Sequence, residues 1–319
     1  MNAQATSTAK ASRPPLLFSI DVEDRQQLLE RRVGRSHWDR PTQAFQRQMT
    51  VLLDTLDTLQ CRATHFMLGV TVAHYPEIVR RIVARGDEIG CHGFAHRRVH
   101  RQSRNDFERD LRRAIELVES LTGTRPVGYR APRFSVNRDC LWMFESLAAH
   151  GFDYDASLNN TLRVPKRILG IPRAPVHLKL PSGREIITVP AMCWHGPRRI
   201  VVPAGGGGYW RALPTPCVVR GVSVSMASQG ISAVYVHPYE FDPVPLASIR
   251  PEGGGIHPGP WLKSIFDNLW RHRVRQTTER LVREHHCMSY QSGLEQYCMQ
   301  TRLPVLSFTT RGRLRPSES

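Results

Sequence analysis

The feature that most constrains this chain is a repeated pattern in which a short apolar segment ends in polar side chains and a helix-like pattern follows. Such alternation predicts a parallel α/β barrel or doubly wound sheet, because each crossover helix covers the sheet that the strands form. In both architectures functional side chains gather at the carboxyl ends of the strands. Four segments are predicted to lie at such strand ends: residues 21–24, 92–96, 130–134 and His237.

Amphipathic patterns between these segments predict the helices. Apolar residues recur at three- and four-residue steps across residues 41–60 and again across residues 103–123. Residues 176–189 break the alternation and predict a small β insertion of two strands joined by a Pro-Ser-Gly turn. Residues 214–227 predict a further helix, and residues 261–283 predict a basic helical extension near the C-terminus.

The domain organisation that we expect is simple. Residues 1–13 are polar and rich in Ser, Thr and Ala, so they are expected to form a disordered leader. Residues 14–290 are expected to form one domain that includes the helical extension, and residues 291–319 a weakly ordered tail. The start lacks the apolar run of a signal peptide, and no stretch has the uninterrupted apolar length of a membrane span.

Charge and cysteine content narrow the partners and the compartment. Lysine and arginine outnumber aspartate and glutamate by 44 to 28, which gives a formal net charge of +16. Anionic polysaccharide, nucleic acid and an acidic membrane are candidate partners, although scattered charge is equally compatible with mere solubility; no nucleic-acid motif is visible. The seven cysteines form an odd set without CxxC pairs, which predicts reduced thiols in a cytoplasmic protein, with a peripheral position at the inner face of the membrane as a variant.

Two histidines, His92 and His96, have the HxxxH spacing that places both imidazoles on one face of a helical turn, as a divalent ion requires. An isolated HxxxH is more often two histidines of a loop, so the spacing alone does not establish a metal site. His100 continues the same spacing, but the intervening Arg97 and Arg98 disfavour a cation there.

An acidic cluster, formed by Asp21, Glu23 and Asp24, follows the first apolar segment directly. Three carboxylates after a buried strand repel one another unless a cation or an arginine neutralises them. Such a cluster can supply the oxygen ligand that completes a two-histidine, one-carboxylate metal site. Strand alternation puts Asp21 and Glu23 on the same side of the strand. The alternative interpretation of the cluster is a solvated acidic loop that binds no metal.

Taken together, the motifs resemble those of the polysaccharide deacetylases of the NodB-homology class, which is similar to carbohydrate esterase family 4. The matching pieces are FSIDVED at 18–24, ATHFMLG at 63–69, GDEIGCHGFAH at 86–96, GYRAPRFS at 128–135, GFDYDAS at 151–157 and VYVHPYE at 234–240. The segment AGGGGYWRALP at 204–214 and the basic C-terminal stretch resemble the subgroup found in exopolysaccharide gene clusters. The resemblance implies a distorted (β/α) barrel with one bound divalent metal.

The resemblance also implies catalytic roles for four residues. Asp21 is expected to act as the general base, and Arg130 to orient it. His237 is expected to act as the general acid, with Asp155 orienting its imidazole. Three further residues are candidates for substrate binding: Phe134, Tyr209 and Arg211.

The metal ligands implied by the resemblance are His92 and His96 with one carboxylate. The first motif departs from the Asp-Asp pair of the broader class, so the carboxylate is either Glu23 or Asp24, and alternation favours Glu23. Zinc is the metal expected first, with cobalt, manganese and nickel as alternatives.

The function implied is metal-dependent removal of acetyl groups from N-acetylated sugar units of a polysaccharide or of its biosynthetic precursor, which can be anionic or lipid-linked. Two alternatives remain at this point. One is a metal amidohydrolase that acts on a non-sugar amide, because fold does not fix substrate. The other is a non-catalytic basic glycan-binding protein, which the net charge of +16 favours.

Overall fold

The structure is a computed structural model that describes residues 13–31, 41–159, 165–195, 201–247 and 258–317. The predicted leader lies outside the described residues, apart from Arg13. Within the described ranges, no helix combines the length and the apolar composition that crossing a bilayer requires. Each of the seven cysteines carries a free thiol, as their spacing predicts.

Strands and helices alternate along most of the chain. The strands are β1 (Pro15–Val22), β2 (Thr64–Met67), β3 (Glu88–Cys91), β4 (Gly128–Tyr129), β5 (Tyr154–Asp155), β6 (Val176–Lys179), β7 (Glu185–Thr188), β8 (Trp194–His195), β9 (Val201–Val202), β10 (Ser232–Val236), β11 (His286–Met288), β12 (Val305–Phe308) and β13 (Leu314–Pro316). The helices are α1 (Arg25–Glu30), α2 (Gln43–Thr58), α3 (Gly69–His74), α4 (Pro76–Ala84), α5 (Arg104–Thr122), α6 (Trp142–Ala149), α7 (Gly208–Ala212), α8 (Thr215–Gln229), α9 (Pro258–Asn268), α10 (His272–Glu284) and α11 (Tyr290–Gln300).

A mostly parallel sheet organises the molecule. Its strand order is β10-β1-β2-β3-β4-β5-β7-β6-β12-β13, with β11 also pairing with β1. The run from β10 to β5, and from β5 on to β7, is parallel throughout. Strands β1 to β5 and β10 therefore end at the same edge, which confirms the predicted α/β fold and its shared strand ends.

Local sequence signals account for the helix that follows β3. The side chain of Ser103 accepts a hydrogen bond from the backbone N–H of Asp106 and so caps α5, as its position predicts. The helix stops at Gly123, whose φ of 70° lies in the left-handed region that glycine adopts without strain. Its apolar stripe, from Phe107 to Val118, is buried against the sheet.

The C-terminal third differs from expectation in two places. The basic extension is two helices, α9 and α10, because the chain breaks around Trp270, which has a φ of 53°. The predicted weakly ordered tail forms α11 and the antiparallel pair β12–β13, and β12 also extends the sheet alongside β6.

The predicted β insertion is confirmed as the antiparallel pair β6–β7.

Candidate active site

The first catalytic candidate lies at the end of β1, a strand of the sheet that is buried along its whole length. Asp21 is 4% exposed, and its Oδ1 accepts a hydrogen bond from the Arg130 guanidinium at 2.6 Å. Arg130 follows β4 directly, so the pair comes from the ends of two strands that β2 and β3 separate in the sheet. The structure thus brings together the acid and the arginine that the sequence pairs.

The guanidinium of Arg130 is itself held from several sides. It donates to Ser19 Oγ at 2.8 Å, to the Tyr290 hydroxyl at 2.7 Å and to a backbone carbonyl, and it lies 4.1 Å from the centre of the Phe66 ring. Burial alone would lower the pKa of Arg130, but the facing Asp21 carboxylate raises it. A fully charged, fixed arginine holds Asp21 in one orientation and leaves its second oxygen for another partner.

A candidate metal centre lies beside this pair. The ligand atoms of Glu23, His92 and His96 all fall within 4.8 Å of one another, and all three residues are buried. Glu23 Oε2 lies 2.7 Å from His96 Nε2 and 3.9 Å from His92 Nε2. His92 directs its Nδ1 to the Arg130 carbonyl at 2.8 Å, so its Nε2 faces the trio.

The electrostatics of the trio suit a cation. Burial lowers the pKa of His92 to about 4, which leaves the imidazole neutral and able to bind a metal at neutral pH. Burial raises the pKa of Glu23, but His96, His237 and His92 outweigh burial and hold that pKa far below its usual range. The buried Nε2 of His92 has no hydrogen-bond partner among the described residues. Two imidazole nitrogens and one carboxylate are a donor set for a divalent transition metal, so the residues fit the expected ion.

The loop that carries the two histidines is not the helical turn that their spacing suggests. Residues 92–96 form a bend in which Gly93 has a φ of 77° and His96 a φ of 50°. Asp110 of α5 fixes this loop, because its carboxylate accepts from the Phe94 N–H at 2.7 Å. His100, which continues the spacing, instead bonds the Ser135 carbonyl and stays outside the trio.

Asp24 is not part of the candidate centre, which corrects one of the two expected carboxylates. Its Oδ1 accepts from the backbone N–H groups of Gln26 and Gln27, at 3.0 and 3.3 Å, and caps α1. Its Oδ2 accepts from the Thr42 N–H at 2.5 Å. Both oxygens serve the backbone, so Asp24 orders the chain that follows the site.

His237 directly follows β10 and reaches the same edge of the sheet. Its Nε2 lies 3.5 Å from Glu23 Oε1, and its Nδ1 lies 3.1 Å from Glu240 Oε2. Burial lowers the pKa of His237, but the carboxylates of Glu240, Glu23 and Asp21 together outweigh burial and raise it above its ordinary value. Glu240, not Asp155, therefore orients His237, and sequence reasoning missed it although it stands three residues later in the same motif.

Asp155 has a different task from the predicted one. Its carboxylate accepts from the backbone N–H and the hydroxyl of Ser157 and lies 3.4 Å from Thr188 Oγ1. Burial raises the pKa of Asp155 to about 7. Ser157 Oγ in turn accepts from the Ala131 N–H at 2.8 Å, next to Arg130. Asp155 therefore positions the strand end that carries Arg130.

The three substrate-binding candidates divide. Phe134 is 8% exposed, and its ring centre lies 5.0 Å from that of Tyr235. Its backbone N–H donates a hydrogen bond to the Ala131 carbonyl, so this N–H is not available to a substrate. Tyr209 is half-buried at the start of α7. Arg211 is wrong as a substrate contact, because it is buried and donates to Glu240 at 2.5 Å and to Asp267 at 3.2 Å.

The arrangement can support hydrolysis of an amide or ester. One side offers a carboxylate fixed by an arginine, and the other a histidine whose protonated form a second carboxylate favours. The donor trio lies between them, close to both groups. A base, an acid and a metal-binding trio at one edge of the sheet are the parts that metal-assisted hydrolysis requires.

Comparisons with known proteins find similar sequences over part of the chain and a similar fold over most of it. A peptidoglycan deacetylase of Helicobacter pylori is 36% identical over 101 residues, which is 30% of this chain and 32% of that protein. The matched segment therefore spans about a third of that relative. A proposed polysaccharide deacetylase from Mycobacterium smegmatis shares the fold, with a TM-score of 0.55 at 19% identity over 91% of this chain and 92% of that one. Puue allantoinase shares it equally, with a TM-score of 0.56 at 12% identity over the same shares.

Family models divide the chain into two consecutive regions. Residues 39–153 match the polysaccharide deacetylase model, and residues 160–294 match a domain of unknown function, DUF3473. The acidic end of β1 precedes the first match, whereas His237 and Tyr290 lie in the second. Residues 39–153 of this chain are therefore similar to polysaccharide deacetylases, and residues 160–294 are similar to the DUF3473 domain.

Proposed function

We propose that this protein removes the acetyl group from an N-acetylated sugar unit of a polysaccharide, or of the precursor from which that polysaccharide is made. The observation that carries the proposal is the meeting of three strand-end groups at one edge of the sheet. These are the Asp21–Arg130 pair, the trio of Glu23 and two histidines, and the His237–Glu240 pair.

The residues divide the reaction between them. A divalent metal held by Glu23, His92 and His96, zinc in our proposal, would polarise the acetyl carbonyl and make water more acidic. Asp21, fixed by Arg130, accepts the proton of the attacking water. His237, whose protonated form Glu240 favours, donates a proton to the departing amine.

The substrate polymer is the finer part of the proposal. The Helicobacter relative acts on peptidoglycan, whereas the glycine-rich segment at 204–214 resembles enzymes of exopolysaccharide gene clusters. We favour an exopolysaccharide or its precursor, because the glycine-rich segment passes close to His237. A Cβ on Gly207 would stand only 3.6 Å from the His237 imidazole carbon Cε1.

Acetate release from zinc-loaded protein tests the function. Wild type is expected to deacetylate at least one N-acetylated oligosaccharide, and Asp21→Asn to abolish turnover while retaining the metal, since Asp21 is outside the trio. The exposed Asp153→Asn is the matched control and should leave turnover unchanged. No acetate from any glycan, or an active Asp21→Asn variant, would refute the proposal.

A second candidate activity is hydrolysis of a non-sugar amide, because an allantoinase has the same fold. Cyclic amides in the same substrate panel separate the two. Turnover of a cyclic amide with no acetate from any sugar would establish the second candidate in place of the first.

A further inference from the structure

A cavity rich in arginine opens directly beside the candidate metal centre. Its volume is about 550 Å³, and His96, a member of the trio, forms part of its wall. Five arginines line the remainder: Arg31, Arg97, Arg98, Arg101 and Arg133. Among the described lining residues Asp106 is the only acidic one, and it is already bonded to Arg109 and Ser103.

Several of these guanidinium groups lie close enough together to repel one another. The guanidinium of Arg98 is repelled by both Arg101 and Arg31. The same group of charges stands next to a centre built to hold a divalent cation. Like charges gathered beside a metal site raise its electrostatic energy unless an anion lies between them.

Two residues that line the cavity have an unusual backbone conformation. Arg133 has a φ of 58° and His96 a φ of 50°, both in the left-handed region that non-glycine residues rarely adopt. Backbone strain of this kind clusters where a side chain must be aimed at a ligand. Arginine forks match the oxygen pairs of phosphates and carboxylates, so the ligand chemistry is that of an oxyanion.

We propose that this arginine pocket binds a negatively charged oxygen group of the substrate, a phosphate or a carboxylate, next to the sugar that loses its acetyl group. The proposal rests on the deacetylase function proposed above. It makes the substrate an acidic glycan or a glycosyl phosphate, and it makes a neutral chitin-like chain a poor substrate.

Three substrates built on one N-acetylated sugar test the pocket. They are a neutral oligomer, a phosphate monoester of the sugar, and the sugar joined to a uronic acid. Wild type is expected to show a kcat/KM at least tenfold higher for one of the charged substrates than for the neutral one. The phosphate and uronate arms identify the source of the charge.

The Arg98→Gln/Arg101→Gln double variant is expected to reduce the charged-to-neutral ratio of kcat/KM by tenfold or more. The matched control is Arg80→Gln/Arg280→Gln, which removes the same charge from exposed positions outside the pocket lining and should keep the ratio. Equal use of charged and neutral substrates by wild type, or an unchanged ratio in the pocket variant, would overturn the proposal. An equal fall in the control would show an effect of net charge alone and would overturn it too.

Direct binding separates this proposal from the proposed function. Calorimetric titration with inorganic sulfate, a tetrahedral oxyanion that coordinates divalent metals weakly, should give binding to wild type that the pocket variant loses. Sulfate binding without acetate release from any glycan would remove the deacetylase function and keep the pocket. Acetate release without a preference for charge, and without sulfate binding, would do the reverse.

A second and independent feature is the orientation of α9. Its inward side carries Ser264, Asp267 and, just beyond the helix, Arg271, all of them buried. Its outward side, continued by the two residues that follow, is apolar and exposed: Trp261, Leu262, Ile265, Phe266, Leu269 and Trp270. An ordinary surface helix has the opposite arrangement, and an apolar patch of this size on a soluble protein indicates an interaction site.

We infer that this outward face of α9 docks on an anionic lipid surface. Tryptophan and phenylalanine on a convex helix suit the interface between headgroups and acyl chains. Arg273, whose guanidinium lies 4.8 Å from the centre of the Trp270 ring, supplies a cation at the edge of the patch. The net charge of +16 attracts an acidic membrane and repels a second copy of the same chain.

Sedimentation with lipid vesicles tests this docking. Wild type is expected to bind vesicles containing phosphatidylglycerol at least tenfold more strongly than neutral phosphatidylcholine vesicles, and more weakly as salt rises. Trp261→Ser/Phe266→Ser should lose most of this binding. Met299→Ser is the matched control, because Met299 is 84% exposed on α11 and outside the patch, and it should bind as wild type does.

Unchanged vesicle binding in the α9 variant would overturn the inference. So would a wild-type dimer in sedimentation equilibrium that the α9 variant converts to a monomer, because a second copy would then be the occupant. Circular dichroism of the variant, matched to wild type, excludes loss of fold as the reason for lost binding.

Discussion

Replacing Arg130 by methionine should lower the free energy of unfolding, because the buried Asp21 carboxylate at the end of β1 loses its positive partner. Arg130 is fully buried and is bonded to Asp21, Ser19 and Tyr290. Methionine fills much of the same volume but offers no hydrogen bond. The Asp21 side chain, 4% exposed, would then have to remain charged without its arginine or take up a proton.

The size of the stability loss is worked out for the case in which Asp21 takes up a proton. This case gives the largest contribution that the carboxyl group can make to the loss. An aspartate side chain in water has a pKa of about 3.9, so keeping one neutral at pH 7 costs about 4.2 kcal/mol at about 1.36 kcal/mol per pH unit. The same reasoning gives about 1.5 kcal/mol at pH 5. Arg130→Met should therefore lower the free energy of unfolding by about 4 kcal/mol at pH 7, with a smaller loss at pH 5.

The sign of this pH dependence is fixed. In the variant, folding favours the neutral carboxyl, so its contribution is complete at low pH and is lost as the pH rises. Asp21→Asn/Arg130→Met should recover at least half of the loss at pH 7, because asparagine needs no proton. The remainder reflects the Tyr290 and Ser19 hydroxyls left without their donor, about 1–2 kcal/mol.

Urea unfolding of metal-free protein, followed by circular dichroism at pH 5 and pH 7, measures these differences. Removing the metal with a chelator keeps its binding energy out of the comparison. A loss below 1 kcal/mol at pH 7, a loss that is equal at both pH values, or a double variant less stable than Arg130→Met would refute the reasoning.

Three further predictions concern the metal and the acid. His92→Ala or His96→Ala should lose most of one bound divalent ion per chain, measured by elemental analysis, whereas Asp24→Asn should retain it because Asp24 caps α1. His237→Ala should keep the metal but lose roughly a hundred- to ten-thousand-fold in turnover of an amide, and less with an activated acetyl ester; equal losses on both substrates would remove the general-acid role. Glu240→Gln should shift the alkaline limb of the pH–rate profile to lower pH, since the Glu240 carboxylate raises the pKa of His237, and an unmoved limb would count against that coupling.

Much of the site could be predicted because its residues stand at strand ends, a position that sequence periodicity reveals. Asp21, His92, Arg130 and His237 each follow or end an apolar segment, and the parallel sheet then brings distant strand ends to one edge. Distance along the chain does not matter for such residues. Glu23 followed from the same alternation, which puts it on the side of Asp21.

The partners of these residues could not be predicted in the same way, because turns and side-chain bonds decide them. Asp155 also ends a strand, but its bonds to Ser157 direct it away from His237. Glu240 reaches His237 only because residues 238–240 form a 3-10 turn. The helical turn expected at the two histidines fails because Gly93 adopts a left-handed conformation that breaks it.

The orientation of α9 has its cause in the active site. Glu240, which holds His237, is itself held by Arg211, and Arg211 also bonds Asp267 of α9 at 3.2 Å. Arg25 also pairs with the Asp267 carboxylate, at 2.6 Å. Burying this chain of charges requires the polar side of α9 to face inward, so its apolar side must face out. The region that matches DUF3473 therefore holds His237, the general acid of our proposal, in place, and the same packing produces the exposed surface that we infer docks on lipid.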